Sequence, residues 1–223
     1  MTDQIDPRPA TYPSPVSLEG RDVHLVALDA LAHGDALWSG AGGPAHDDLW
    51  TYVPDGPFHD RDAFIESLRQ KAAHPDRVYW AIVDARDRRA LGYTSLMRID
   101  IPNRVVEVGG ILYTPALQRT RAGTEAMFLL ARHVFEDLGY RRYEWKCNVL
   151  NAKSQAAARR LGFTFEGIFR QHMIVKGRSR DSAWFSMLDH EWPARKAELI
   201  RWLDPANFDE RGRQKTPLRG HGF

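Results

Sequence analysis

Apolar residues recur at helical spacing in one long segment near the middle of the chain, Gln118–Leu138. They stand three and four positions apart, at Met127, Leu130, Ala131, Val134, Phe135 and Leu138. This spacing predicts an amphipathic helix that buries one face. Gly139 follows where a C-terminal cap is expected.

The segments on either side of this helix have the pattern of strands. Arg104–Thr114 is rich in β-branched residues and stops before Pro115, and Arg141–Cys147 alternates polar and aromatic residues. A strand, a short loop, a helix and a second strand form a βαβ unit. In one sheet, its strands are parallel and its crossover is right-handed.

The remaining elements follow from the same periodicities and from Gly, Pro and capping residues. Before the βαβ unit we predict a strand at Arg21–Leu28, a helix capped by Asp29 and running through Trp38, a Gly-rich loop at Ser39–Asp48, a helix at Asp60–Ala73 and strands at Arg77–Asp84 and Ala90–Ile99. After it we predict a helix from Asn151 to Leu161, a hairpin of Phe163–Lys176 with Ala183–Leu188, and a closing helix, Glu191–Leu203.

This order of elements predicts an α/β fold of the α+β type, a mixed and mostly antiparallel sheet flanked by helices. Residues 1–17 form a Pro-rich arm, extended or disordered, residues 18–203 form the domain, and residues 204–223 form a loose polar tail.

Composition narrows the function classes. The 223 residues include 31 basic and 29 acidic side chains, and no long basic run implies general nucleic-acid binding. No apolar run approaches the ~20 residues of a membrane span, and the first residues lack a signal peptide's apolar core, so we expect a cytoplasmic protein that does not bind membranes. A single cysteine, Cys147, excludes an intrachain disulfide and a Cys-based zinc cluster.

The start of the central helix has the features of an anion-binding site. Helix N-termini present unpaired N–H groups and the positive end of the dipole, and Arg119 and Arg121 add two charges. A phosphate could bind there. The alternative is that both arginines lie on a solvated surface.

Large aromatic residues in Leu49–Phe58 occupy a segment whose prolines and glycine prevent a regular helix. Trp50 and Tyr52 either pack on the core as part of a covering loop or form the wall of a substrate pocket. The sequence leaves both interpretations open.

In this order, these features resemble a known family. The residues that carry the resemblance are Glu107, Gln118, Arg121, Gly123, Asn151, Ser154 and Leu161-Gly162-Phe163, followed by Arg170, Asp181 and Glu191-Trp192. Between Leu18 and Trp192 the chain resembles the acyl-CoA-dependent N-acetyltransferases of the GNAT superfamily, in particular the RimJ and RimL branch. Two positions depart from the family pattern, because Arg121 replaces a glycine of the loop and Ala158 replaces a tyrosine.

The resemblance implies acetyl-CoA as acyl donor, a primary amine as acceptor, and no metal; a homodimer is a candidate assembly. Whether the acyl group is acetyl or longer stays open. The cofactor-binding residues implied are Ile111 and Tyr113 through their backbone, the pyrophosphate loop Gln118, Arg119, Arg121, Ala122, Gly123 and Thr124, and Asn151 and Ser154. Asn151 is equally suited to a plain N-cap role.

The chemistry is attack of an amine on a thioester, which needs a base. Glu107 is the candidate base, with a structural ion pair to Arg104 or Arg142 as the alternative. His172 is a second candidate base and a candidate residue for binding the acceptor. Ser154 is the nearest hydroxyl that could stabilise the departing thiolate. A GNAT-shaped protein that binds CoA without turnover is the alternative function.

Overall fold

The computed structural model describes residues 8–219, which form one eight-stranded sheet with helices on both faces. The strands are β1 Leu18–Glu19, β2 Val23–Ala27, β3 Arg77–Asp84, β4 Ala90–Asp100, β5 Val105–Tyr113, β6 Arg142–Asn148, β7 Thr164–Val175 and β8 Arg178–Leu188. The helices are α1 Ala30–Ala41, α2 Arg61–Ala72, α3 Arg121–Arg132, α4 Ala152–Arg160 and α5 Trp192–Leu203. No helix among these residues is both long and apolar enough to cross a membrane.

The sheet order is β1-β2-β3-β4-β5-β6-β8-β7, and every neighbouring pair is antiparallel except β5 and β6. The predicted mixed, mostly antiparallel sheet and its single parallel βαβ unit are therefore confirmed. α3 is the crossover of that unit, and its last turn widens into a π-helical turn at His133–Asp137.

Two apolar cores lie on opposite faces of the sheet. The larger one joins α3, α4 and α5 to the central strands, and the smaller one joins α1 and α2 to β3 and β4. Every residue of α3 from Gly123 to Ala131 is buried, so this helix is covered on all sides rather than along one face.

Short-range capping fixes where the helices begin. The Asp29 carboxylate accepts hydrogen bonds from Leu31 N and Ala32 N, both at 2.8 Å, as predicted for the N-cap of α1. Asn151 caps α4 in the same way. The prediction of a loop at Ser39–Asp48 is wrong, because α1 continues to Ala41 and a 3₁₀ helix, Pro44–Trp50, follows.

The described parts of both terminal segments pack on the domain. In the extended N-terminal arm, Thr11 N donates to Leu138 O at 2.9 Å and Val16 O accepts from Trp80 Nε1 at 2.9 Å. After α5, Phe208 and Gln214 form a β-bridge, and Trp202 Nε1 donates to Gln214 Oε1 at 2.8 Å. Residues 204–214 are therefore a folded segment and not the loose tail expected from composition; residues 1–7 and 220–223 lie outside the described part.

A buried carboxylate fastens α3 to the start of β2. Glu125 accepts three backbone hydrogen bonds, from Arg21 N at 3.0 Å, Asp22 N at 2.7 Å and Val23 N at 3.0 Å. These are charge-assisted bonds across about a hundred residues of chain, and they position the N-terminal half of α3 against the sheet.

We predict that Glu125→Gln lowers the free energy of unfolding by about 2–4 kcal/mol, because the amide has no charge and places its NH2 donor against at least one of the three N–H groups. Chemical denaturation measures the change. Glu66→Gln, on the exposed surface of α2, is the matched control and should change stability by less than about 0.5 kcal/mol. Equal stability of the two variants would show that the three hydrogen bonds contribute little.

Candidate active site

The parallel strands β5 and β6 separate in the middle of the sheet. Their pairing runs from Val105 opposite Arg142 to Val108 opposite Trp145 and ends there. Beyond this point β5 stays paired with β4, and β6 stays paired with β8. A gap therefore opens beside the second half of β5, where no rung of the ladder joins the two strands.

An extra residue in β5 accompanies the separation. Tyr93 of β4 lies opposite Leu112, whereas Ser95 lies opposite Gly109, so β5 has one residue more than β4 over this stretch. Gly110 adopts φ +56°, and a Cβ there would lie 3.1 Å from Ser95 Oγ. The glycine pair permits a bulge that other residues would strain.

The N-terminus of α3 lies at the open end of this gap. Thr120 is the N-cap, and its Oγ1 accepts from Gly123 N at 3.0 Å while donating to Leu117 O at 2.7 Å. A Cβ on Gly123 would lie 2.8 Å from Leu117 O, so only glycine fits. Tyr113 Oη donates to Gly123 O at 2.8 Å and holds the end of β5 on this turn. Arg119 is exposed immediately before it.

Arg121 begins α3, but its side chain has a protein partner. Its Nε and Nη2 lie 2.5 and 2.7 Å from the two oxygens of Asp22, and its guanidinium carbon lies 5.0 Å from the ring centroid of Phe208. A phosphate contact through this guanidinium, as predicted from the sequence, would have to compete with the Asp22 carboxylate. Arg121 instead ties the start of α3 to β2 and to the C-terminal segment.

Arg160 is a cation of this site that sequence reasoning missed. Its Nη1 donates to Thr124 Oγ1 at 3.0 Å, and its guanidinium carbon lies 4.5 Å from the Trp202 ring. Burial lowers the pKa of Arg160, and no carboxylate among residues 8–219 forms an ion pair with it. Ser154, Ala157 and Arg160 all line the cleft at spacings of three, and extending this stripe from Ser154 would have found it.

Glu107 lies on the last part of β5 that is still paired with β6, one residue before the strands separate. Its carboxylate is buried, 2.9 Å from Lys146 Nζ and 3.0 Å from Arg98 Nε. Burial raises the pKa of Glu107, and the two cations oppose the rise. The ion-pair partners predicted from sequence, Arg104 and Arg142, are therefore wrong.

Strand register explains why polar groups gather around Glu107. Glu107 lies opposite Glu144 of β6, which lies opposite Ser186 of β8, and Lys146 lies opposite Trp184. Because alternate residues share a face, these side chains form a polar face of the sheet, while the residues between them pack against α3 in the larger core. Lys146 Nζ lies 3.5 Å from the Trp184 ring centroid.

Ser154 and Asn151 lie at the start of α4 and line the same cleft. Asn151 Oδ1 accepts from Ser154 N at 3.0 Å, so its carbonyl serves as the helix cap. Ser154 Oγ accepts from Trp145 Nε1 at 3.0 Å, and the same side chain hydrogen-bonds the Cys147 thiol, which also lines the cleft. Ala158, the position at which the family resemblance leads one to expect tyrosine, is fully buried.

The two aromatic candidates have different positions. Trp50 is a core residue, 1% exposed, with its Nε1 donating to Ala41 O at 2.8 Å, so the pocket-wall interpretation fails for it. Tyr52 does line the cleft, and its hydroxyl donates to Leu150 O at 3.0 Å.

His172, on β7, also lines the cleft. Its Nδ1 lies 2.9 Å from Ser182 Oγ. Burial and the nearby cations Arg98, Lys146 and Arg180 lower the pKa of His172, so the imidazole is neutral at pH 7.

One cleft of about 2500 Å³ is lined by Glu107, Ser154, Arg160 and His172. It runs from Arg160 and the C-terminal segment, past the N-terminus of α3 and the gap between β5 and β6, to Glu107 and Arg180. Its first end offers phosphate-binding groups and its second end offers a buried carboxylate, which suits a long phosphorylated donor meeting a second substrate. Among residues 8–219 no group of three or more His, Cys, Asp and Glu side chains is placed to hold a metal ion.

Several known proteins are similar to this chain in sequence and in fold. Residues 37–164 match the family described as "Acetyltransferase (GNAT) domain". YdaF of Bacillus subtilis, which carries the provisional name ribosomal N-acetyltransferase, is 34% identical over 152 residues, 66% of this chain and 80% of YdaF. A GCN5-related N-acetyltransferase from Brucella melitensis is 44% identical, with a TM-score of 0.92 over 95% of this chain and 96% of that one.

A more distant structure supports the fold alone. RimL, titled a ribosomal L7/L12 alpha-N-protein acetyltransferase, is 19% identical with a TM-score of 0.65 over 78% of this chain and 94% of its own. The resemblance inferred from the motifs is confirmed, and relatives that are acetyltransferases favour catalysis over CoA binding without turnover. The chain therefore belongs to the GNAT family and is an N-acetyltransferase that moves an acyl group from acetyl-CoA to an amine.

Proposed function

We propose that this chain transfers the acetyl group of acetyl-CoA directly to the primary amine of a protein N-terminus or of a small molecule. The observation that carries the proposal is the gap between β5 and β6, with an open helix N-terminus at one end and the buried carboxylate of Glu107 at the other. The provisional name of YdaF, ribosomal N-acetyltransferase, supports a protein acceptor.

Acetyl-CoA fits the end of the cleft that is formed by Arg160 and the N-terminus of α3. The backbone of Ile111 and Tyr113, on the part of β5 that has left β6, can bond the amide groups of the pantetheine arm as an added strand would. The N–H groups of Arg121 and Ala122, with the Arg119 and Arg160 side chains, suit the phosphates. Gln118 donates through Nε2 to Tyr113 O at 3.0 Å and shapes the loop between them.

The acceptor amine must lose a proton before or during attack, because its pKa is ~8 for an α-amino group and ~10.4 for a lysine. Glu107 can take that proton directly or through water. A carboxylate whose pKa is raised by burial is a stronger base than an exposed one, and Lys146 and Arg98 keep it ionised.

The carbonyl carbon then forms its bond to nitrogen, and the tetrahedral intermediate expels CoA as a thiolate. Because a thiol has a pKa of ~8.5, the thiolate can leave without being protonated first. A hydrogen bond donated to the leaving sulfur therefore increases the rate only modestly. The Ser154 hydroxyl is held by Trp145 and Cys147 in the lining of the cleft, and a departing thiolate that replaces the Cys147 thiol as acceptor can receive its hydrogen. Tyr52 lines the acceptor side, where His172 is a neutral hydrogen-bonding group.

We predict that Glu107→Gln lowers kcat by ~10²-fold or more while the acetyl-CoA Kd is unchanged. The wild-type kcat/KM rises with pH as the Glu107 carboxylate ionises above its ordinary range, and the variant loses that part of the profile. Thiol release with a panel of amines measures both quantities.

The matched control is Glu144→Gln. Glu144 is the other buried carboxylate that pairs with Lys146, and it does not line the cleft. It should lower Tm and leave kcat within about threefold of wild type. Similar losses of kcat in both variants would reduce Glu107 to an ion-pair partner.

For the leaving group, we predict that Ser154→Ala lowers kcat by ~10-fold or more without changing the acetyl-CoA Kd, because the thiolate loses its hydrogen-bond donor. Trp145→Phe is the control. Like Ser154→Ala, it removes the hydrogen bond between Trp145 and Ser154, but it keeps the Ser154 hydroxyl. A kcat of Ser154→Ala within twofold of wild type would leave protonation of the thiolate to water.

At the phosphate end, we predict that Arg119→Ala and Arg160→Met each raise the acetyl-CoA Kd by ~10-fold or more, in line with the ~1.5–3 kcal/mol of a charge-assisted contact, and weaken its salt dependence. Arg121→Met is the contrast, because its guanidinium is bound to Asp22. It should lower Tm with a smaller effect on Kd. Calorimetry at two salt concentrations measures the acetyl-CoA Kd of all three variants. An unchanged Kd in both Arg119→Ala and Arg160→Met would exclude those side chains from phosphate binding.

A further inference from the structure

The charges on the polar face of the sheet form an alternating chain. It runs through Arg98, Glu107, Lys146, Glu144, Arg142 and Glu166. Each link is an ion pair between 2.5 and 3.0 Å, so three cations and three carboxylates neutralise one another. None of these three carboxylates is left over to compensate a further cation.

Arg180 is that further cation. It lies on β8, on the same face as Trp184, and lines the acceptor end of the cleft. Its Nε is buried without a hydrogen-bond partner, and no carboxylate within residues 8–219 lies at ion-pair distance from its guanidinium. The neighbouring Asp181 turns away and accepts a hydrogen bond from Gln171 N at 2.7 Å.

A second guanidinium is close to the first. Arg180 is the register partner of Met173, and Arg98 Nη2 lies 4.0 Å from Met173 Sδ. The two arginines therefore approach the same methionine from different strands. Burial and the charge of Arg98 lower the pKa of Arg180, and the Glu107 carboxylate opposes that shift from beyond ion-pair distance.

A half-buried guanidinium beside another cation is unfavourable unless an anion binds it. The cleft admits such an anion at this end, because Arg180, Arg98 and Glu107 all line it. The planar fork of arginine matches a carboxylate through two parallel hydrogen bonds. The same anchor would hold a neighbouring amine near Glu107 and so limit its orientations.

We infer that the acceptor is an amine that carries a carboxylate, and that Arg180, with Arg98 beside it, binds this carboxylate while the amine faces Glu107. The inference rests on the proposed acetyl transfer and narrows its acceptor class. Two sources share this chemistry, a free amino acid with its α-carboxylate and a peptide N-terminus followed by an acidic side chain.

Matched acceptor pairs test the inference. For free amino acids the pairs are an amino acid and its amide, such as L-phenylalanine and L-phenylalaninamide. For peptides the pair is Ser-Asp-Ala-amide and Ser-Asn-Ala-amide. In thiol-release assays at least one pair should show kcat/KM ~10-fold or more higher for the carboxylate member, the size of one charge-assisted contact.

The Arg180→Gln variant should lose this preference through a higher KM for the carboxylate member, because kcat/KM falls at least about tenfold more for that member than for the neutral one. Arg180→Lys should retain part of it. Arg178→Gln is the control. Arg178 is an exposed arginine on the same strand, β8, and it does not line the cleft. Equal rates for both members of every pair, or equal losses for both in Arg180→Gln, would overturn the inference.

Calorimetry with N-acetyl-L-phenylalanine and its amide provides a readout independent of turnover. The carboxylate ligand should bind the wild type more tightly than the amide does, and Arg180→Gln should remove the difference. If no amine releases thiol, the proposed function fails and this titration alone decides the inference. Equal binding of the two ligands, including no binding of either, counts against it.

Discussion

The separation of β5 from β6 is the constraint on which the rest of the site depends. One extra residue in β5, accommodated by Gly110 at a positive φ, keeps this strand on β4 while it leaves its parallel neighbour. Backbone groups that would complete the ladder instead face a cleft, where an unmet hydrogen bond is costly and a substrate that meets it is favoured. The glycines therefore convert part of a sheet into a binding edge.

The helix that follows this edge is held more firmly than its sequence pattern required. α3 is covered on all sides, Glu125 binds three backbone N–H groups at the start of β2, and Arg121 pairs with Asp22 beside them. All these contacts lie near the N-terminal half of the helix. They keep its first N–H groups in place without occupying them, which is what an anion-binding helix terminus needs.

The two faces of the second half of the sheet have different chemistry because residues alternate along each strand. One face packs in the larger core, and the other carries the alternating ion pairs from Arg98 to Glu166. A buried carboxylate such as Glu107 is expensive, and its pKa rises accordingly. Lys146 and Arg98 reduce that cost and hold the Glu107 carboxylate at the end of the gap, the position that the proposed base requires.

The sequence by itself determined the five α-helices, strands β2 to β8 and their order, but not β1 or the 3₁₀ helix at Pro44–Trp50. Hydrophobic periodicity, the caps at Asp29 and Asn151 and the glycines after the helices are read within a few residues, because capping and burial patterns act over one or two turns. Together with the motif from Gln118 to Gly123, they were enough to identify the GNAT fold. Tertiary structure decided which charged groups meet.

Strand register, not local spacing, brought Lys146 to Glu107 and left Arg180 uncompensated. Asp22 reaches Arg121 across 99 positions of sequence, and no periodicity encodes that distance. Trp50 is a core residue because α1, Phe58 and Phe64 surround it, and the C-terminal segment folds back because Trp202 and Gln214 meet. Partners of this kind depend on the packing of whole elements, which a single sequence does not show.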